Sequence, residues 1–163
     1  AVANVTINPI TPITRERRNI DRIVAKGVEM TATARAGDIA LSASYAYSHS
    51  MVYAPGAAFS GLTPAQSPRH AASATLAWAP LGGPSLSTTL RYVSRQYEDD
   101  LQSDILPGAL TLDALARLPI GGGVTLTARG ENLFDETVVT RNAGGSMDLG
   151  TPRTLWIGLS ITG

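Results

Sequence analysis

Cysteine is absent from the 163-residue chain, which excludes a disulfide scaffold, a thiolate zinc site and a cysteine nucleophile. Lysine is nearly absent: Lys26 stands beside twelve arginines. Net charge is absent as well. Thirteen basic and thirteen acidic residues cancel, so the chain lacks the basic excess that nucleic-acid binding needs. Charged residues reach only 16%, against roughly 25% in an ordinary soluble domain. Ala, Gly, Ser and Thr fill the gap, and mean hydropathy is close to zero at +0.06. No run approaches the roughly 18 consecutive apolar residues of a membrane helix, which rules out helical spanning. No basic and apolar leader opens the chain, so a signal peptide is expected to have been removed or to lie upstream.

What is present is alternation. From Val124, the residues Val124, Leu126, Ala128 and Gly130 oppose Thr125, Thr127, Arg129 and Glu131. From Thr154, the residues Leu155, Ile157, Leu159 and Ile161 oppose Thr154, Trp156, Gly158 and Ser160. Successive side chains of a strand point to opposite faces, so each stretch predicts a strand with one apolar and one polar face. The same pattern predicts strands over 27–35, 39–50, 70–79, 85–97, 109–118, 124–135 and 153–162. A shorter one is predicted near Ala3–Ile7. Thr88 and Leu115 are blemishes in their rows.

The connections sort by length. Three are tight and rich in Gly or Pro, at 36–38, 80–84 and 119–123, which is turn chemistry. The others, near 8–19, 52–68, 98–108 and 137–149, are long and polar. Long and short connections alternate along the chain, as in an outer-membrane barrel with short turns at one end and long loops at the other. The polar rows are mostly Ser and Thr, which suits a water-filled lumen better than the Lys and Glu of exposed soluble strands. Tyr45 and Tyr47 near the loop end, Phe134 in phase with Val124, and Trp78 beside a turn fit aromatic girdles about 25 Å apart. The fold expected is all-β, an antiparallel up-and-down meander forming about eight strands of a larger transmembrane β-barrel.

Catalytic motifs are missing. No Gly-x-Ser-x-Gly elbow occurs, and Gly121-Gly122-Gly123 is not followed by the Lys-Ser/Thr of a phosphate loop. His49 and His70 lie on different predicted strands, and no metal or other cofactor is expected. The chain is not expected to be an enzyme.

Glu131-Asn132-Leu133-Phe134-Asp135, followed by Gly150-Thr151-Pro152-Arg153-Thr154-Leu155-Trp156, resembles the C-terminal signature of TonB-dependent outer-membrane receptors. Lys26-Gly27-Val28-Glu29, Pro68-Arg69-His70, Arg91 to Asp100 and Leu106-Pro107-Gly108 resemble further strand starts and loops of that family, in the family's order. The outward row of the last strand ends in Gly163 where the family usually has Phe or Trp, and Thr137 and Val138 stand where it often has Tyr.

The resemblance implies that residues 1–163 are the C-terminal part of a barrel of about 22 strands, without its plug and TonB box. It implies uptake of a scarce ligand such as a ferric siderophore or cobalamin, with TonB-coupled energy and no covalent chemistry. A complete eight-stranded barrel with a structural or adhesive role is the alternative. Implied partners are outer-membrane lipid and lipopolysaccharide, the plug and remaining strands, the TonB complex through the plug, and the ligand. Family-motif residues are Glu131, Asn132, Leu133, Phe134, Asp135, Gly150, Pro152 and Arg153. Glu29, Arg35, Arg91, Asp113, Arg117 and Arg129 are candidates to face lumen and plug, with cross-strand pairing as the alternative use of their charge. Arg15, Arg17, Arg18 and Arg22 form a basic cluster in the first long loop and the strand after it, suited to phosphate.

Overall fold

The computed structural model describes residues 22–162, together with the backbone of two strands, β1 (Val2–Asn8) and β2 (Thr14–Asn19). Its main body is one seven-stranded antiparallel sheet of β3 (Arg22–Ala36), β4 (Ile39–Tyr53), β5 (His70–Trp78), β6 (Ser85–Val93), β9 (Ala109–Gly121), β10 (Val124–Glu131) and β13 (Thr154–Ile161). Each strand lies beside its predecessor in the sheet, which makes the up-and-down meander that the alternation predicts. The long connections carry hairpins of their own, β7 (Gln96–Tyr97) with β8 (Ile105–Leu106) and β11 (Val139–Ala143) with β12 (Ser146–Leu149). Among the described residues no helix is long and apolar enough to cross a membrane.

Four expectations are corrected. The first strand does not join the main sheet; β1 pairs with β2 in a sheet of two, so most of the loop expected over 8–19 is strand. The sheet has seven strands, and its edges β3 and β13 are not neighbours, which removes the closed eight-stranded barrel. The strand expected over 85–97 breaks after Val93, and Gln96–Tyr97 pairs with Ile105–Leu106 instead. The strand expected over 124–135 stops at Glu131, because Asn132 adopts a left-handed backbone (φ 48°) that no alternating strand continues through. Phe134 therefore sits in the turn that follows, exposed, and its phase with Val124 carries no meaning.

Register joins the single-strand patterns into rows across the sheet. One row runs Ala34, Leu41, Leu76, Thr88, Ala114, Gly130, Leu155, and the next Ala36, Ile39, Trp78, Leu86, Ala116, Ala128, Ile157. On the other face run Thr33, Ser42, Thr75, Thr89 and Asp113, then Thr31, Ser44, Ser73, Arg91 and Thr111. Hydroxyls bond across the strands there, Ser44 to Ser73 and Thr75 to Thr89, each at 2.9 Å. The apolar face is uncovered: Leu155 is 70% and Ile157 83% exposed, and Met30, Leu76 and Leu86 are exposed as well. No second layer packs on either face among the described residues. Among the described residues the buried apolar side chains are Val52, Ala54, Phe59 and Leu106, all at the loop end. A single layer with one continuous apolar face and one hydroxylic face needs lipid on one side and water on the other.

Local chemistry sets the hairpins. Gly37 opens the two-residue turn between the paired Ala36 and Ile39 with φ 55°, a value that primed hairpin turns require and glycine supplies freely. Pro119 lies where register slips between β9 and β10, so its missing N–H falls at a bulge. Ile39 pairs with Trp78, and Tyr47 lies eight residues further along β4, a climb of about 20 Å at 3.3 Å per residue and a tilt near 40°. Tyr45 and Tyr47 thus bound an apolar band whose other limit is Trp78.

Leu90 pairs with Ala74 and Leu112 in the middle of the apolar face, and Thr89 is its neighbour on the hydroxylic face. Leu90→Arg is expected to destabilise the barrel containing this sheet by about 2–4 kcal/mol, and Thr89→Arg by under about half of that. Urea titration of the receptor refolded into lipid vesicles measures both; equal losses would contradict the assignment of faces.

Candidate functional site at the loop end of the sheet

The connections after β4, β6 and β10 emerge at one end of the main sheet, and residues 131–135 and 150–153 organise that end. Asn132, only 5% exposed, is its pivot. Its side-chain amide donates to the carbonyls of Glu136 (2.8 Å) and Thr151 (3.1 Å), while its Oδ1 accepts from Glu136 N–H (3.0 Å). Asparagine tolerates the left-handed conformation better than most residues and supplies both donor and acceptor, which explains the residue type. Leu133 N–H donates to Leu112 O at 2.7 Å. The Leu133 side chain fills the space that a Cβ on Gly130 would take. Asp135 holds Arg153 by an ion pair of 3.3 Å and accepts its backbone N–H. Gly150 N–H donates to Val138 O at 2.8 Å, and Pro152 O accepts from the Thr154 hydroxyl. Residues 132 and 153, which leave and re-enter the sheet, are thereby clamped together, and hairpin β11–β12 stands on the clamp.

The clamp reaches the hydroxylic face through Asp113. Its Oδ1 accepts Asn132 N–H at 2.9 Å, and its Oδ2 binds the guanidinium of Arg91 on the adjacent strand β6. Glu131 binds Arg129, two residues earlier on the same face. Register puts Glu29, Arg35, Arg91, Asp113, Arg117, Arg129 and Glu131 all on the hydroxylic face. Four of these charges are engaged with one another within the sheet. Glu29, Arg35 and Arg117 form no ion pair among the described residues. Two apolar side chains, Leu115 and Trp156, share this face, each beside Arg129.

Of the basic cluster, only Arg22 has a described side chain. Arg15, Arg17 and Arg18 belong to strand β2 and not to a loop, and their side chains lie outside the described residues. Arg22 opens β3 and sits over the ring of Tyr53, 4.5 Å from its centroid.

Between the other two connections lies an arrangement that no sequence motif marks. Asp99, buried, accepts from the N–H groups of Leu101, Ser103 and Asp104 and from the Ser103 hydroxyl, all at 2.9 Å. Burial pushes its carboxyl up, but those four hydrogen bonds outweigh burial and leave it below the usual carboxylate range. The 98–108 loop closed in this way is tied to its neighbours. Ala65 N–H donates to Asp100, Gln66 N–H to Tyr97 O, Gln66 Nε2 to Glu98, Gln102 Nε2 to Thr63 O, and Asn142 Nδ2 to Ile105 O. Between the first two loops a cleft of about 270 Å³ is lined by Arg69, His70, Ser94, Arg95, Tyr97 and Gln102, among others. The Asp99-Asp100 pair ahead of a polar Leu-Gln-Ser-Asp run was the available signal for the closed loop. The cleft needs two loops far apart in sequence. No group of three His, Asp or Glu residues able to hold a metal occurs among the described residues.

A seven-stranded open meander with short turns at one end, tied loops at the other and a clamped penultimate strand matches a known architecture. The family described as "TonB dependent receptor-like, beta-barrel" matches residues 2–133. The chain belongs to the TonB-dependent receptor family. Its place is the bacterial outer membrane. It is 33% identical over 129 residues to the ferrichrome outer membrane transporter/phage receptor of Escherichia coli (strain K12), spanning 72% of this chain and 17% of that protein. The siderophore receptor PiuA from Acinetobacter baumannii superimposes with a TM-score of 0.78 at 20% identity, over 96% of this chain and 23% of that one. The ferric citrate transporter FecA in its unliganded form gives 0.74 at 20% identity, over 98% of this chain and 26% of that one. The chain thus spans about a quarter or less of the relatives it matches, which are named as transporters and receptors.

Two outcomes follow for the receptor segment. Asn132→Ala removes three hydrogen bonds and strains the left-handed turn, so a loss of roughly 2–4 kcal/mol is expected, with Asn132→Gly recovering about 1 kcal/mol through its freer backbone. Denaturant unfolding in detergent measures both, and an unchanged Asn132→Ala midpoint would contradict the clamp. Asp99 has a folded pKa below its unfolded value. Its contribution is therefore complete above about pH 4 and lost as pH falls through the folded value. Amide exchange of Leu101, Ser103 and Asp104, corrected for intrinsic rates, should accelerate below that point in the native protein. In Asp99→Asn it should be fast at every pH.

Proposed function

We propose that this chain forms the C-terminal staves of a TonB-dependent receptor barrel, and that the whole receptor takes up a scarce ligand, a ferric siderophore in the first instance, with TonB-coupled energy. The observation that carries the reading is the two-faced single sheet, together with the family match. The apolar face meets outer-membrane lipid and, toward the loop end, lipopolysaccharide. The hydroxylic face borders the lumen and the plug supplied elsewhere in the protein, through which TonB acts. The edges β3 and β13 pair with the remaining strands, because an unpaired backbone group in lipid costs several kcal/mol. Within the lumen, Glu29, Arg35 and Arg117 are the charges available to the plug, since Arg91, Asp113, Arg129 and Glu131 are engaged with one another. The tied loops supply part of the ligand-binding rim. Residues of this chain bind, orient and enclose; none acts as a nucleophile or general base.

Relatives named for siderophores, ferric citrate and ferrichrome favour an iron complex over cobalamin as cargo. The test is uptake of radiolabelled iron, as hydroxamate, catecholate and carboxylate complexes, by cells whose one receptor is the protein containing this chain. Accumulation that stops when TonB is deleted is the expected result. Labelled cobalamin serves as the second arm. Absence of TonB-dependent accumulation in every arm would overturn the transport reading.

A further inference from the structure

The cleft between the 54–69 and 94–108 connections gathers cationic and polar side chains. Arg69 and Arg95 both line it, and neither forms an ion pair among the described residues. Ser67, Thr63, Gln96, Gln102 and Tyr97 add polar groups, and Ile105 is its apolar wall. No carboxylate lines it. The acidic neighbours in the 98–108 loop face other work: Asp99 closes its own turn, Asp100 accepts from Ala65, and Glu98 accepts from Gln66. Two arginines lining one small cleft favour an anion there, with which each can form a charge-assisted contact.

The walls are set before any ligand arrives. His70 N–H donates to the Ser94 hydroxyl at 3.0 Å, and Ser94 N–H donates to His70 O at 2.9 Å, which stitches together the start of β5 and the end of β6 at the floor of the cleft. The Ser94 hydroxyl keeps its own proton to donate. His70 Nδ1 is bonded to Tyr45 Oη at 2.8 Å, and the ring rests 5.2 Å from that of Tyr47, so its orientation is fixed by the aromatic girdle below. Gln102 is held to Thr63 O, which fixes the width between the loops. Donors positioned in advance lose little entropy when they bind. At about 270 Å³ the cleft has room for roughly nine waters, slightly below the usual range for drug-sized pockets, which suits one small anion or one anionic arm of a larger molecule.

We propose that this cleft binds an oxyanion, a phosphate or carboxylate group gripped between Arg69 and Arg95 with hydroxyl support from Ser94 and Ser67. Two sources share that chemistry. One is a soluble anion arriving from outside. The other is a phosphorylated lipid headgroup, which the position of the cleft beside the Tyr45–Tyr47–His70 girdle brings within reach. The proposal rests on the receptor reading only for the placement of the loops at the outer surface.

The test uses the complete receptor containing this chain, purified in detergent. Binding of inorganic phosphate and of citrate is measured by titration calorimetry at two salt concentrations. Capture by phospholipid vesicles with and without lipopolysaccharide forms the second arm. In either arm, R69Q/R95Q is expected to bind at least about tenfold more weakly, R69K/R95K to recover part of the loss, and added salt to weaken the native protein. Arginine-dependent binding of the soluble anions assigns the cleft to a solute. Arginine-dependent capture confined to lipopolysaccharide vesicles assigns it to a headgroup. Equal binding by the native protein and R69Q/R95Q, or no binding in any arm, overturns the proposal. Heat-modifiable migration on gels confirms that each variant has folded. Iron uptake by the same cells keeps the two readings apart: uptake without oxyanion binding sinks the cleft alone, and oxyanion binding without uptake sinks the transport reading alone.

Discussion

Every backbone N–H and C=O of a strand in hydrocarbon must find its partner in a neighbouring strand, because no water is there to replace it. This requirement shapes the rest of the molecule. It forces long ladders of direct neighbours, which the meander supplies from β3 to β13 without a crossover. It forces hairpins tight enough to keep register, which Gly37 and the Gly122-Gly123 pair allow. It also frees the sheet from any need for a core. A soluble domain of this length would bury a second layer. Here, what is buried is a small group around Val52 and Phe59 where β4 rises clear of the membrane band.

The loop end solves a different problem. Above the bilayer, loops have water as an alternative partner, so order there has to be built from specific bonds. Asn132 and Asp99 are two such builders, each a short side chain that satisfies several backbone groups at a point where the strand pattern fails. The first ties the ends of one excursion. The second gives the neighbouring loop a shape that other loop segments can grip. The outcome is a rim whose parts are cross-braced over residues far apart in sequence, on top of a wall whose own contacts are local.

The wall was therefore legible in the sequence and the rim was not. Period-two alternation reports which face each residue takes, and rows such as Leu126, Leu118 and Leu159 assemble from patterns visible one strand at a time. The errors fall where alternation continues by chance past the end of a strand. Phe134 kept phase with Val124, but the left-handed Asn132 intervened. Thr14–Asn19, polar and charged, carried no apolar face to mark it as the strand it is. The charges on the hydroxylic face share it by strand register, while their pairing was beyond reach, since Arg91 and Asp113 meet only once β6 lies against β9. The bonding of Asn132 could not be read from the sequence, because it depends on Thr151 and Asp113 arriving at the same point.

The ladder of small hydroxyls on the hydroxylic face has a consequence for what that face can hold. Between Thr31 and Thr89 the wall offers a donor or acceptor at nearly every step, each worth about 1 kcal/mol net against water. A small molecule resting on such a surface finds only weak, interchangeable partners. That stretch of wall is nearly indifferent to what touches it. Any specific grip on this face has to come from its charges, Glu29, Arg35 and Arg117 among them.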